Sequence, residues 1–315
     1  MKNLLRRKMR LLRLAAHRGA LRLGVQVLPD HYYSPVPNIV ALERSRDRWA
    51  KRSELPGVEV DLDAQVRMMR ELCLPWQDEF AGNRTYRRAV VESAGPGFGY
   101  IEAQALHGVL RSLRPTRVIE VGSGVSTVCA LEALDMNEAD GSPRARFTSI
   151  EPYPSARLRG LSAIELIERP VQDVPIDVFT GLEDGDFLFL DSSHAVKLGS
   201  DVNFLILEVL PRLRPGVTIH VHDIFLPFDY APDALHTIFN WSETSLLHAF
   251  LIGNQRVRIL FGLSELHDAR PDDVRAVFPE YRPLPMLDGL VAAGSLPKPG
   301  DMPTHFPSSI YLKTQ

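Results

Sequence analysis

The sequence is poor in cysteine, in long apolar runs and in unbalanced charge. Cys73 and Cys129 are the two cysteines among 315 residues, and their positions fit neither a metal site nor a disulfide framework. No apolar run approaches the roughly 20 residues that a membrane-spanning helix needs. The net charge of −3 and the pI near 6.4 argue against a nucleic-acid-binding protein. These absences favour a protein of the reducing cytoplasm.

The N-terminus is the exception to this balance of charge. Residues 1–24, "MKNLLRRKMRLLRLAAHRGALRLG", contain eight Lys or Arg and no acid. Because these charges interrupt the apolar stretch, it predicts neither a signal peptide nor a spanning helix. Leucines near positions 4–5, 11–12 and 21 predict one face of a basic amphipathic helix. That helix either attaches to an anionic membrane surface or packs on its own domain or on a partner subunit, and the extension favours a homodimer.

Strands and helices alternate from residue 117 onward. Strands are predicted at 117–121, 146–151, 163–168, 187–191, 217–223, 256–262 and 308–314, and helices at 62–74, 101–113, 126–135 and 201–213. This alternation predicts an α/β fold, with a doubly wound, seven-stranded, mostly parallel sheet behind an N-terminal helical extension. We divide the chain into an extension, residues 1–84, and a domain, residues 85–315, whose proline-rich segment 263–307 covers it. Ligands in such sheets bind beyond the carboxyl ends of the strands.

The loop after the first of these strands, "VIEVGSGVST", has features of a ligand-binding turn. Gly122 and Gly124 let the backbone approach a ligand closely, next to the free amides of a helix start. Thr127 stands where a dinucleotide fingerprint needs a third glycine. Glu120 lies just before the glycines, where it would oppose a pyrophosphate but suits a cationic ligand. The loop therefore favours a cationic cofactor over a dinucleotide.

The next two strands also end in acids. Glu151 ends the second strand, at a position where an acid typically binds the two hydroxyls of a ribose. Gln172 and Asp173 follow the third strand, where they are placed for the edge of an adenine.

Together, "RVIEVGSG", "SIEP", "DFLFLDSSH" and "LPRLRPGVTIHVHDIFLP" resemble the class I S-adenosylmethionine-dependent methyltransferases. Within that family they resemble glycan and natural-product O-methyltransferases, over about residues 85–262 and the final strand. The resemblance implies a Rossmann-like methyltransferase fold, S-adenosyl-L-methionine as cofactor, and a hydroxyl of a sugar or another polar metabolite as acceptor. It also implies cofactor-binding residues: Glu120, Gly122, Ser123 and Gly124 for the methionine and ribose portion, Glu151 for the ribose, Asp173 for the adenine, and Asp191 near the sulfonium.

Acids and histidines follow the fourth and fifth strands. Asp191 ends the fourth strand, His194 comes three residues later, and His222 and Asp223 end the fifth strand. In one interpretation Asp191, His222 and Asp223 bind a divalent metal and His194 is the general base. This is similar to metal-dependent macrolide-sugar O-methyltransferases, in which an acid and an adjacent pair of acids hold magnesium. Here a His–Asp pair replaces the two acids, and imidazole suits manganese, iron or zinc better than magnesium.

The alternatives use the same residues differently. Without a metal, His194 is the base, Asp191 orients it or the sulfonium, and His222 and Asp223 form a structural pair. If the acceptor is a carboxylate, it is already ionised near pH 7 and His194 is dispensable. A catalytically silent cofactor-binding subunit and a dinucleotide oxidoreductase are further hypotheses. His220, deeper on the same strand as His222, is expected to be structural.

Aromatic residues on either side of these strands are candidates for the wall of the acceptor pocket. Tyr86, Tyr100 and Glu102 precede the first strand and could close over the cofactor or the acceptor. Phe225, Tyr230 and Trp241 lie in the excursion after the fifth strand, which usually shapes the acceptor pocket in this fold.

Overall fold

The structure, a computed structural model, describes residues 2–92, 97–291 and 306–315, with side chains at position 9 and from 11 onward. By packing, the chain divides into one unit that ends at Trp49 and a second unit, Ala50–Gln315. The predicted domain boundary at 84/85 stays a prediction. Helices between residues 62 and 92 belong to the same compact unit as the sheet.

The strands lie close to their predicted positions. Their bounds are β1 Arg117–Val121, β2 Arg146–Ile150, β3 Ile164–Ile167, β4 Phe187–Leu190, β5 Thr218–Val221, β6 Val257–Gly262, β7 Met286–Leu287, β8 Leu290–Val291 and β9 Ile310–Thr314. Among the described residues, seven of them form one sheet in the order β3-β2-β1-β4-β5-β9-β6, and β7 and β8 form a hairpin. Strands β1 to β5 pair in parallel, while β9 is antiparallel to both β5 and β6. The predicted seven-stranded, mostly parallel sheet is confirmed.

Each of the two units contains helices, and those of the second unit flank the sheet on both faces. The N-terminal unit contains α1 Lys2–Leu21, α2 Ile39–Arg44 and α3 Arg46–Trp49. The second unit contains α4 Leu62–Cys73, α5 Gln77–Phe80, α6 Arg84–Glu92, α7 Tyr100–Leu113, α8 Val125–Ala139, α9 Ala156–Arg159, α10 Asp177–Thr180, α11 Asp201–Phe204, α12 Glu243–Leu251, α13 Leu263–Ala269 and α14 Pro271–Val277. Single 3₁₀ turns occupy Leu74–Trp76, Ala81–Asn83, Val171–Asp173 and Leu210–Arg212.

Each face of the sheet has its own hydrophobic core, because successive side chains of a strand point to opposite faces. Phe187 and Phe189 of β4 pack with α4, α7 and α8 on one face. Leu188 and Leu190 pack on the other face. All four residues are buried, which is why this strand reads as a continuous apolar run.

The helix predicted over 201–213 changes its winding along its length. Ser200 caps α11 by accepting a hydrogen bond from the Asn203 amide at 3.1 Å. A π-helical turn follows over Leu205–Val209, and the segment ends in the 3₁₀ turn at Leu210–Arg212. Pro211 has no amide hydrogen to donate, so a regular α-helix does not continue through it.

The segment 263–307, predicted to cover the domain, contains two helices whose apolar residues are buried in the core. Leu263 and Leu266 of α13, and Val274 and Phe278 in or after α14, are buried in the same core as β4. Residues 263–291 form helices and a hairpin, and the covering role of the segment 263–307 stays a prediction. Residues 292–305 lie outside the described part of the chain.

Within the described ranges, no helix combines the length and the hydropathy needed to cross a bilayer.

Candidate active site

The loop between β1 and α8 approaches the end of β4 closely. Gly122 has a φ of +82°, in the left-handed region that favours glycine, and its amide donates to the carbonyl oxygen of Ile150 at 3.0 Å. Gly124 has extended backbone, and a β-carbon built on it meets no atom within 4 Å. The loop is therefore tight at Gly122 and open in front of Gly124.

Glu120 points into the protein rather than into a cleft. Its side chain is fully buried, and its two oxygens accept hydrogen bonds from the hydroxyls of Ser126 at 2.9 Å and Thr127 at 2.6 Å. The same Thr127 hydroxyl accepts a hydrogen bond from the Gly124 amide at 3.1 Å. Burial raises the pKa of Glu120 to about 8. Glu120 thus supports the glycine loop through Thr127, the residue that replaces the third glycine of a dinucleotide fingerprint.

A cleft of about 310 Å³ lies beside the open side of this loop. Ser123, Gly124, Glu151 and Tyr153 are among the residues that line it. The Glu151 carboxylate accepts a hydrogen bond from the Tyr153 amide at 2.8 Å and a long one from the Ser123 hydroxyl at 3.4 Å. Asp173 ends the 3₁₀ turn after β3 with an exposed side chain.

The acids and histidines that follow β4 and β5 form one cluster. Asp191, His194, His222 and Asp223 each offer a ligand atom, and these four atoms lie within 4.8 Å of one another. Asp191 Oδ1 is 3.2 Å from both His194 Nε2 and His222 Nδ1. Asp223 Oδ2 is 3.5 Å from the same two nitrogens. The predicted metal ligands and the predicted base thus meet at the carboxyl ends of two adjacent strands.

The cluster holds opposite charges together. Burial opposes the charge of Asp191, but His222 and His194 hold the pKa of Asp191 well below its usual range. Burial likewise opposes the charge of His194, but its hydrogen bonds to Asp191 and Glu243 raise the pKa of His194 to about 10. The pKa of His222 is raised well above its usual value, because Asp223 and Asp191 outweigh burial. The neighbouring carboxylates thus favour the protonated form of both imidazoles.

Two residues of the cluster have unusual backbone conformations. His194 has a φ of +55° and Asp223 a φ of +53°, both in the left-handed region that residues other than glycine rarely adopt. Such strain costs about 1–3 kcal/mol per residue and persists where the surroundings determine it. His194 lies four residues after the end of β4 and Asp223 two residues after the end of β5, and the side chains of both reach the cluster.

Glu102 and Ser308 contact the cluster, and the sequence predicts neither contact. Ser308 donates its hydroxyl to Asp223 Oδ1 at 2.8 Å and its amide to Glu102 Oε1 at 2.8 Å. His222 Nε2 lies 3.1 Å from Glu102 Oε1, outside hydrogen-bonding geometry. Glu102 is buried and accepts hydrogen bonds from the amides of Ser308 and Gly99, and its closing over the cofactor or acceptor stays a prediction.

Glu243, the first residue of α12, is a further residue that the sequence analysis missed. Its Oε2 atom lies 2.9 Å from His194 Nδ1, and its side chain is 2% exposed. It follows His194 by 49 residues, and no local motif marks it.

His220 lies deeper in β5, as predicted. It is fully buried and stacks between Phe189 and Tyr311, with ring centroids 4.4 and 4.2 Å away. Its Nε2 pairs with the Ser309 hydroxyl at 2.8 Å, and burial holds the pKa of His220 well below its usual value.

Aromatic rings extend outward from the cluster. Trp241 lies 5.0 Å from the His194 ring and stacks with Phe225 and Phe239, with centroids 6.4 and 6.5 Å away. The Phe239 side chain is 66% exposed. Of the other predicted wall residues, Tyr86 and Tyr100 are buried in the core, and Tyr230 donates its hydroxyl to the Asp288 carbonyl at 3.0 Å.

Comparison with known proteins identifies the domain that carries this site. The sequence model of a family described as a methyltransferase domain matches residues 119–224. This range starts in β1 and ends just after Asp223, so it contains both the glycine loop and the acid–histidine cluster.

Relatives and solved structures share part of the chain. An uncharacterized protein of Archaeoglobus fulgidus is 31% identical over 166 residues, which cover 50% of this chain and 73% of that protein. The structure of a putative caffeoyl-CoA O-methyltransferase from Staphylococcus aureus is 12% identical, covers 63% of this chain and 93% of its own, and has a TM-score of 0.39.

A second structure is that of the MycE methyltransferase from the mycinamycin biosynthetic pathway, in complex with Mg, SAH and mycinamycin VI. It is 17% identical, covers 53% of this chain and 49% of its own, and has a TM-score of 0.31. Neither structural likeness bears on the activity of this chain. The domain match and the seven-stranded sheet establish the family: the chain belongs to the class I S-adenosylmethionine-dependent methyltransferases.

Proposed function

We propose that this methyltransferase transfers a methyl group to a hydroxyl of a sugar or polar natural product, with a divalent metal and a histidine base. One observation carries the proposal. Three candidate metal ligands, Asp191, His222 and Asp223, converge with the Nε2 atom of His194 within 4.8 Å. A metal site beside an imidazole suits an acceptor whose hydroxyl must lose a proton before it can attack.

The cofactor is placed in the cleft beside the glycine loop. Gly124 leaves room for a ligand there, and the Glu151 carboxylate can accept hydrogen bonds from ribose hydroxyls. Ser123 lies between these two residues, and Asp173 is assigned to the adenine edge. We assign Glu120 an indirect role, because its oxygens are already bonded to Ser126 and Thr127.

The cluster fits a divalent cation by its donor set. Two carboxylates and an imidazole are donors of the kind that manganese, iron and zinc accept, and the imidazole makes the site less suited to magnesium. A bound cation would lower the pKa of an acceptor hydroxyl and, by its charge, the pKa of the two imidazoles. An acceptor with two neighbouring oxygens fits such a site best.

The reaction then needs few further groups. His194 Nε2 accepts the proton of the acceptor hydroxyl, and the resulting oxygen anion attacks the methyl carbon of the sulfonium in line. The carbon–sulfur bond breaks, and S-adenosylhomocysteine leaves with the electron pair. Strands β4 and β5 contribute chiefly by holding the groups in position.

Calorimetry tests the site without knowledge of the acceptor. Metal-stripped protein is titrated with S-adenosylhomocysteine, and then with magnesium, manganese, iron(II) or zinc. We expect one metal per chain, lost in Asp191→Ala and retained in Glu208→Gln, which changes an exposed carboxylate. Cofactor binding without metal affinity would leave His194 as a base acting alone.

The acceptor class is tested with tritiated S-adenosylmethionine and a panel of sugars with vicinal hydroxyls, simple catechols and carboxylic acids. Transfer to a hydroxyl that is lost in His194→Ala supports the proposal. Transfer to a carboxylate that survives His194→Ala supports the alternative, a methyl-ester-forming enzyme. No transfer to any acceptor would favour the silent cofactor-binding subunit.

We also propose that α1 contacts an anionic membrane surface. Residues 5, 9, 12 and 16 are Leu, Met, Leu and Ala, while residues 6, 10, 13 and 17 are Arg, Arg, Arg and His. At 3.6 residues per turn these two sets form an apolar face and an adjoining basic face. Met9 and Leu12 are 47% and 72% exposed.

Sedimentation with vesicles tests this contact. Binding to phosphatidylglycerol vesicles, but not to phosphatidylcholine vesicles, is expected, with loss in Leu12→Glu and at high salt. If α1 instead joins two copies, as in a homodimer, light scattering gives a dimer that Leu12→Glu dissociates while neither vesicle binds.

A further inference from the structure

The start of helix α12 is hydrogen-bonded to the loop that carries His194. The amides of Ser242 and Glu243 both donate to the His194 carbonyl oxygen, at 2.8 and 3.2 Å. The Ser242 hydroxyl accepts a hydrogen bond from the Val196 amide at 3.0 Å. The first turn of α12 therefore fixes the backbone of this loop, including the positive φ of His194.

The same turn also fixes the His194 ring. Glu243 Oε2 lies 2.9 Å from Nδ1, and the Trp241 ring lies 5.0 Å away, tilted by 56°. A carboxylate at this site accepts a hydrogen bond, so Nδ1 must carry the hydrogen. The other nitrogen, Nε2, then faces Asp191 at 3.2 Å and Asp223 at 3.5 Å.

Glu243 lies outside the group of candidate metal ligands. Its side chain is 2% exposed, and its second oxygen has no hydrogen-bond partner among the described residues. It does not belong to the group of four residues whose ligand atoms converge. A buried carboxylate with one partner is costly to desolvate, and that partner here is His194.

We propose that Glu243 is a positioning residue that holds the His194 ring with Nδ1–H bound and Nε2 directed at the Asp191/Asp223 carboxylates. Glu243 touches neither the cofactor cleft nor the metal ligands and acts through His194 alone. The inference rests on the proposed function, in which His194 Nε2 accepts the acceptor proton. It adds that the tautomer and orientation of this base are set by α12.

Nuclear magnetic resonance tests the contact without an acceptor. An imidazole N–H bound to a buried carboxylate gives a far-downfield proton signal, and we expect one in the full chain with S-adenosylhomocysteine. It should vanish in His194→Ala and in Glu243→Ala and persist in Glu265→Ala. The last variant is a matched control, because Glu265 is also a buried carboxylate but pairs with Gln65. If the signal that is lost in His194→Ala survives in Glu243→Ala, the proposal is overturned.

Kinetics separates positioning from a general structural role. Using the acceptor found in the tritium screen, we expect Glu243→Ala to lower kcat about 10- to 100-fold. The KM for S-adenosylmethionine and the affinity for manganese should remain within about twofold. Glu243→Asp, which keeps the carboxylate, should recover part of kcat, whereas Glu265→Ala should leave kcat unchanged.

A double-mutant cycle decides whether Glu243 acts through His194. The double variant His194→Ala/Glu243→Ala should be no slower than His194→Ala, because a positioning residue has nothing left to position. Effects that multiply would reject the proposal. If His194→Ala itself keeps full turnover, the proposed base is wrong, and this outcome is distinct from a failure of Glu243 alone.

Discussion

Gly122 lies so close to Asp191 that a β-carbon added to Gly122 would lie 1.8 Å from the Asp191 carbonyl oxygen. The contact joins the loop after β1 to the end of β4. It therefore fixes the cleft that we propose for the cofactor relative to the acid–histidine cluster. Glycine is required at this position by both the contact and the positive φ of +82°.

Gly122→Ala should consequently destabilise the fold. Overpacking costs about 1–3 kcal/mol, and a left-handed conformation adds about 1–2 kcal/mol for a residue with a β-carbon. The midpoint of urea unfolding, followed by circular dichroism, measures this change.

Gly124→Ala is the matched control for this loop. Its β-carbon meets no atom within 4 Å, so the urea midpoint should stay near that of the wild type. Because the added methyl group enters the space proposed for the cofactor, the affinity for S-adenosylhomocysteine should fall. A wild-type midpoint for Gly122→Ala would contradict the close approach.

His222 should set the metal preference of the cluster. In His222→Glu, a carboxylate replaces the imidazole, and we expect the affinity for magnesium to rise relative to that for zinc. Without metal, the new acid would face Glu102, which lies 3.1 Å from His222 Nε2, and like charges disfavour folding. Thermal unfolding should therefore show a lower Tm than the wild type without metal and a larger rise in Tm when magnesium is added. An unchanged ratio of magnesium to zinc affinity would count against His222 as a ligand.

Glu120 should make stability depend on pH. Its pKa is raised from 4.5 to about 8 in the folded protein. Between pH 4.5 and pH 8 the folded state therefore keeps a proton that the unfolded state has released. The stabilisation is fully present below pH 4.5 and is lost as the pH rises towards 8. Between pH 5 and pH 8, the Tm of Glu120→Gln should fall less than the Tm of the wild type. Glu208→Gln, at an exposed carboxylate, should follow the wild-type profile.

The sheet and the meeting of acids at its edge could be predicted because both depend on local sequence. The run from Phe187 to Leu190 predicts a strand buried on both faces. Parallel strands bring their carboxyl ends together, so Asp191 and His222 were expected to be neighbours without knowledge of any long-range contact.

The residues that support the cluster could not be predicted in this way. Glu243, Glu102 and Ser308 come from helices or segments far away in the chain and reach the site by tertiary packing alone. The sequence pattern places Glu120 at the end of the first strand, but it does not predict which way the side chain points. Ser126 and Thr127 bind the Glu120 oxygens only once α8 has formed.

Both cysteines should be inert in the native protein. Cys73 and Cys129 are fully buried, and burial raises the pKa of both thiols well above the usual range. The thiolate is the reactive form, so a thiol reagent such as Ellman's reagent should find no reactive group until urea unfolds the chain, when two per chain should react. Rapid modification of the native protein would show that the core around these residues opens.

Phe239 should contribute to acceptor binding and not to cofactor binding. Its ring extends the stack of Phe225 and Trp241 next to His194, and it is too exposed to contribute much to the core. An exposed ring beside a reaction site offers a flat apolar surface to a sugar or an aromatic acceptor. Phe239→Ala should therefore raise the KM for the acceptor several-fold and leave the KM for S-adenosylmethionine unchanged. Leu207→Ala, which removes an exposed apolar side chain from the π-helical turn, should change neither constant. If Phe239→Ala behaves like Leu207→Ala, the acceptor does not use this aromatic surface.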